Sequence, residues 1–157
     1  TIAKLEKNTN LELIIELFNK LGRKLIIIGN GKQRTYLESK AAPNIEFIGE
    51  KNEEVMCEYI SNARAFISTD NENLDIEAMK SLTYGKPVLA SFNSPISEIL
   101  IPNLNGELFY ENNIKQIEDC LSRFLLNEVN YNSQKINKTV SKFSKEEFIT
   151  KIHQFMV

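Results

Sequence analysis

The chain has 157 residues, 42% of them hydrophobic and 25% charged, the balance of a single globular domain large enough to bury a core. A net charge of −2 gives no broad positive footprint for nucleic acid, and no basic run marks a membrane-surface stripe. No apolar run is long enough for a transmembrane segment and no signal-peptide pattern is present, so a cytoplasmic protein is expected, with membrane association left open for a full-length polypeptide.

In chain order, Thr1-Ile2-Ala3 reads as the end of a strand, as in a piece of a longer protein. Asn8 to Leu21 carries Leu11, Ile14, Ile15, Phe18 and Leu21 at helical spacing. Lys24 to Gly29 is a continuous apolar run, the pattern of a parallel strand covered on both faces. A helix is expected over Lys32–Lys40, a strand over Asn44–Gly49, a helix over Glu53–Asn62 and a strand over Arg64–Ser68. The helix Asp75–Tyr84 and the strand Pro87–Ser91 follow, then a short strand Gly106–Phe109 and two or three helices from Asn113. This alternation predicts an α/β fold, a doubly wound parallel sheet of Rossmann-like type with extra C-terminal helices.

Cys57 and Cys120 fall in helical patterns without metal-like spacing and read as core thiols of a reducing compartment. His153 is the sole histidine, so no zinc site is expected.

In such sheets ligands bind beyond the carboxyl ends of the strands, where strand order reverses. The loops at that edge are Glu6–Asn10, Gly29-Asn30-Gly31, Gly49-Glu50-Lys51, Thr69–Leu74 and Ser91–Pro95. The helix from Asp75 turns its amino end to the same edge, where amides near Leu74 and Asp75 can hold a phosphate. Asp75 can equally cap the helix, and Glu77 can be a first-turn carboxylate favoured by the dipole or an acceptor for paired sugar hydroxyls. Gly29 and Gly31 allow a sharp turn and a close backbone approach, but many β-α turns contain glycine. Lys4 and Lys7 are the cations near the first strand's end, and solvated surface charge is the alternative reading for both.

The segments KLIIIGNGKQRTYLESKAAPNIEFIGE, STDNENLDIEAMKSLTYGKPVLA and SEIL…NGELF resemble the C-terminal, donor-binding domain of family 4 glycosyltransferases, retaining enzymes of the two-domain GT-B fold, with a mannosyltransferase-like pattern. The resemblance runs from Ala3 to Leu125, and its most specific part is the polar loop followed by EAMKSLTYGKPVLA. It implies transfer of a hexose from a UDP- or GDP-sugar to a glycan, lipid or polysaccharide precursor. The nucleotide-sugar is a substrate; no cofactor is implied, and no metal at the phosphates. The acceptor would be bound mainly by an N-terminal domain outside this chain, which alone is expected to be inactive.

By the same resemblance, Lys4 and Glu77 are the catalytic candidates. Lys4 stands where an arginine usually neutralises the diphosphate, and Glu77 matches the second glutamate of a pair, which usually holds the donor ribose. The loop embracing sugar and diphosphate corresponds to Thr69, Asp70, Asn71, Glu72, Asn73, Leu74 and Asp75. A second cation expected after Lys4 aligns with Thr9, and Lys7 replaces it only through a rearranged loop. Gly29 and Asn30 border the donor, and Gly49-Glu50-Lys51 lies where backbone usually meets the nucleobase.

Four departures stand out. The first glutamate of the pair is Thr69, a loop glycine is Glu72, a Gly-Gly is Asn93-Ser94-Pro95, and lysine at position 4 lacks arginine's bidentate fork. They motivate an alternative, a degenerate domain with a binding or assembly role. A flavodoxin-like regulator is the third reading, but the phosphoacceptor Asp it needs at the end of an early strand is not evident.

Overall fold

The computed structural model describes residues 1–7, 10–69 and 75–143. Thr9, Asp70, Asn71, Glu72, Asn73, Leu74 and His153 lie outside the described residues. Leu11, Ile14, Ile15 and Phe18 form the buried stripe of α1 (Leu11–Leu21), which ends at Gly22 in a left-handed turn. There follow β1 (Leu25–Ile28), α2 (Arg34–Lys40), β2 (Ile45–Gly49), α3 (Glu53–Asn62), β3 (Phe66–Ile67), α4 (Ile76–Thr83), β4 (Val88–Ser91) and β5 (Gly106–Phe109). α5 (Ile114–Asn127) and α6 (Ser133–Val140) complete the described chain, with short 3-10 turns at Pro95–Glu98, Glu128–Asn130 and Ser141–Phe143.

Every strand pairing is parallel. β1 pairs with β2, and β4 lies between β3 and β5. The residues before α1 join the free side of β1: Ile2 bridges Ile28, and the Ala3 N–H donates to the Ile28 carbonyl at 2.9 Å. The alternation of side chains along each strand divides the interior in two. Ile67, Leu89 and Phe109 enter the core shared with α1 and α5, whereas Phe66, Val88, Ala90 and Leu108 enter the core shared with α4 and α6. α1 and α2 pack together on one face, and α3 packs against α4 on the other. The crossovers therefore change face between β2 and β3. That change creates a switch point between the Thr1–Ala3 segment and β3.

The parallel α/β fold matches expectation, and several boundaries differ. α2 begins at Arg34, not Lys32, because the Gln33 N–H is taken by the Leu5 carbonyl at 2.9 Å and the Arg34 N–H by Gly31 at 3.1 Å. β3 is two residues long, since only Phe66 and Ile67 are in register with β4. Pro95 opens an unanticipated 3-10 turn, its fixed φ suiting the first position. Cys120 is a core thiol as expected, but Cys57 is only partly buried, and its thiol beside the exposed Tyr84 raises that phenol's pKa.

Candidate functional site

The end of the first segment is clamped onto the turn after β1. The Leu5 N–H donates to Asn30 O at 3.0 Å, the Gln33 N–H returns to Leu5 O, and the Asn30 side chain accepts from the Gly31 N–H at 3.0 Å. Both glycines of the turn serve this contact. A Cβ on Gly29 (φ +135°) would stand 1.9 Å from Ala3 O, and one on Gly31 would stand 2.4 Å from Leu5 O. The residue fixed between these two contacts is Lys4, whose carbonyl accepts from the Glu6 N–H in a tight turn. Lys4 is exposed, as is Lys7, and neither makes an ion pair among the described residues.

β2 ends beside this clamp. The Gly29 N–H donates to Gly49 O at 3.0 Å, and Gly49 adopts φ +71°. The guanidinium of Arg34 lies against Gly49, 3.1 Å from where a Cβ would be, and is paired with Glu38 at 2.8 Å. Lys51 is exposed, and Asn52 caps α3 by accepting from the Val55 N–H.

Across the switch point Ser68 and Thr69 are buried at the end of β3. Asp75 is the N-cap of α4: Oδ1 accepts from the Ala78 N–H at 2.9 Å and Oδ2 from the Ser68 hydroxyl at 2.6 Å. This cap satisfies the third amide of the helix and leaves those of Ile76 and Glu77 in the first turn for other acceptors. Glu77 is half-buried in the same turn, 3.8 Å from Lys80, and Lys80 pairs with Glu53 of α3 at 2.9 Å. The Glu53 hydrogen bond raises the Lys80 pKa despite partial burial. At the remaining strand ends, Ser91 O accepts from the Ser94 N–H and hydroxyl, and exposed Phe92 and Tyr110 stack with ring centres 5.1 Å apart.

The fold brings Lys4, Lys7, Gly29, Asn30, Gly49, Lys51, Thr69, Asp75 and Glu77 to one edge of parallel strands on either side of the switch point. Residues 1–145 match the sequence profile described as "Glycosyl transferases group 1". The chain belongs to that family. No curated protein matches this glycosyl transferase sequence. Among solved structures, it is similar to a lipopolysaccharide outer core galactosyltransferase in its apo form, with TM-score 0.80 and 21% identity over 98% of this chain and 46% of that one. It is also similar to sucrose-phosphate synthase from Thermosynechococcus elongatus, with TM-score 0.82 and 16% identity over 98% of this chain and 43% of that one. A third, from Anabaena, was solved in complex with UDP and glucose; its TM-score is 0.60 and its identity 14%, over 90% of this chain and 46% of that one. The group 1 glycosyl transferase chain thus spans less than half the length of these three structures. The likeness establishes the C-terminal Rossmann-like half of the GT-B fold.

Sequence reasoning missed two cations at this glycosyl transferase edge, Arg34 and Lys80. Arg34 was legible only as the first residue of the helix after the glycine turn. Lys80 lies three residues beyond Glu77, the spacing of neighbours on one helix face.

Proposed function

We propose that this chain is the donor-binding domain of a retaining glycosyltransferase that moves a hexose from a UDP- or GDP-sugar to an acceptor. What supports this reading is that Lys4, which makes no ion pair among the described residues, and Glu77, in the first turn of α4, both lie at the carboxyl edge of the parallel strands. A diphosphate there meets the Ile76 and Glu77 amides, the positive end of the α4 dipole and the Lys4 ammonium. Those groups stabilise the negative charge that grows on the leaving diphosphate, and no metal is needed for that role. Glu77 accepts from the ribose hydroxyls, and Lys80 restrains its carboxylate from the α3 side. The backbone at Gly49-Glu50-Lys51 borders the nucleobase. The acceptor is held by a second domain, the transfer takes place in the cytoplasm, and the family 4, mannosyltransferase-like pattern fits this assignment.

Titration of the chain with UDP, GDP and their hexose conjugates, followed by amide chemical shifts, tests the site. Shifts are expected at Gly29, Gly49 and Glu77. Shifts confined to α5 and α6 would sink the assignment.

A further inference from the structure

We infer, on the donor-binding reading above, that Arg34 selects the base of the donor nucleotide and that this base is guanine. Its guanidinium stands at the carboxyl edge of the strands with both terminal nitrogens unspent.

Three contacts bring Arg34 there. Its backbone N–H donates to Gly31 O at 3.1 Å, which starts α2 directly behind the turn after β1. Its Nε donates to Glu38, one turn along the helix, at 2.8 Å. Its Nη1 lies 3.1 Å from the place a Cβ would take on Gly49, the last residue of β2. Gly49 has φ +71°, and any side chain there would press on the guanidinium. The bond to Glu38 uses Nε alone. Among the described residues Nη1 and Nη2 have no hydrogen-bond partner, and the side chain is 34% exposed. An i,i+4 surface pair accounts for the Glu38 contact, but it does not require a glycine at the end of the neighbouring strand.

The fold connects this place to Glu77. Glu77 is 3.8 Å from Lys80, and Lys80 pairs at 2.9 Å with Glu53 in the first turn of α3. The loop between β2 and α3 therefore borders the Glu77 side of α4. A ribose held by Glu77, with its phosphates at the amino end of α4, turns its base away from those phosphates and toward this loop. At Gly49 no side chain fills the space, and the guanidinium of Arg34 forms the wall beside it.

The chemistry of the fork names the base. Nη1 and Nη2 offer two parallel N–H donors, and guanine carries two matching acceptors, O6 and N7, on one edge. Adenine has an amino donor in place of O6. Uracil's carbonyls flank the N3–H donor, so the fork meets one acceptor instead of two. A bidentate guanidinium pair fixes geometry as well as charge, which a lysine ammonium in the same place does not.

The test is titration of the 157-residue chain with GDP, UDP and 7-deazaguanosine diphosphate, followed by amide chemical shifts and repeated on Arg34→Lys and Arg34→Ala. The unsubstituted chain is expected to bind GDP about tenfold more tightly than UDP. The deaza analogue, which lacks only the N7 acceptor, is expected to bind about tenfold more weakly than GDP. Both variants are expected to bind the three nucleotides alike, because lysine keeps the charge and loses the fork. A GDP preference retained by Arg34→Lys and Arg34→Ala would overturn the inference. So would equal affinities for GDP and UDP in the unsubstituted chain, and either result leaves donor binding standing. Absence of shifts at Gly29, Gly49 and Glu77 with every nucleotide would instead sink the donor-binding reading, and base selection with it.

Discussion

At the scale of single residues, the Gly29 turn separates two reasons for a glycine. Gly22 and Gly29 both have positive φ, but a Cβ on Gly22 meets nothing within 4 Å while one on Gly29 runs into Ala3 O. Gly22→Ala is expected to cost about 1–2 kcal/mol from backbone conformation alone and to leave nucleotide affinity unchanged. Gly29→Ala should cost more, about 2–4 kcal/mol, because the Ala3–Leu5 backbone must also move. It should weaken diphosphate binding as well, since Lys4 is carried by the displaced segment. Urea midpoints and calorimetric titration of both variants make the comparison, and equal effects would remove the clamp from the site. Glu77→Ala separates ligand contact from helix chemistry in the same way. Loss of hydrogen bonds from ribose hydroxyls to a charged carboxylate should cost about 1.5–3 kcal/mol in affinity. A first-turn carboxylate contributes only about 0.3–1 kcal/mol to stability. Unaltered affinity would exclude Glu77 from the donor site.

At the scale of elements, short polar side chains join helices to strands, and these ties were unevenly legible. The Asp75 cap could be read from an acidic residue opening an apolar-periodic run, but its second bond, to Ser68, could not, because the partner lies across an intervening loop. Glu53–Lys80 likewise joins two helices, each of which looked merely amphipathic in sequence. Glu107 is the clearest case, a carboxylate inside a strand that is buried on both faces. Its oxygens accept from the Asn103 N–H at 3.1 Å, the Tyr131 hydroxyl at 2.9 Å and Arg123 Nε at 3.1 Å. Asn103 has φ +62°, so this carboxylate secures a left-handed turn ahead of β5 as well as the packing of α5. Burial, with the Glu107 bond second, raises the Tyr131 pKa. Glu107→Ala should cost about 3 kcal/mol, the low end for breaking a buried pair, because the half-exposed Arg123 can rehydrate and keep Asp119. Glu107→Gln should cost less, since it keeps an acceptor in place. Denaturant unfolding checks both, and a cost below about 1 kcal/mol for the alanine variant would show the network to be dispensable. The parallel sheet was legible from apolar runs and periodicity. These ties were not, because they depend on which distant atoms the fold brings within hydrogen-bond reach.

At the scale of the whole molecule, a chain that starts at Thr1 with a free amine acquires a pH dependence with a definite sign. The Thr1 ammonium lies where the two parts of the sheet meet. Burial lowers its pKa to about 5 from an ordinary 8.0, with the charge of Asp75 acting in the opposite direction. Between those values the unfolded chain holds a proton that the folded chain has released, so stability should rise as pH rises from about 5 to 8. Below that window both states are protonated and the full cost of burying the charge is felt. Over three pH units the gain is on the order of a few kcal/mol. A carboxylate whose folded pKa is depressed, such as Glu128 beside Arg64, makes its contribution at lower pH and does not mimic this slope. The comparison is made between the free chain and the same chain acetylated at Thr1. Urea unfolding at pH 5, 6, 7 and 8 should show a rising stability for the free terminus and a flatter curve for the acetylated one. The two curves should differ most at pH 5 and converge by pH 8, where the free amine is neutral when folded and only half-charged when unfolded. Parallel curves would mean that the terminus is solvated.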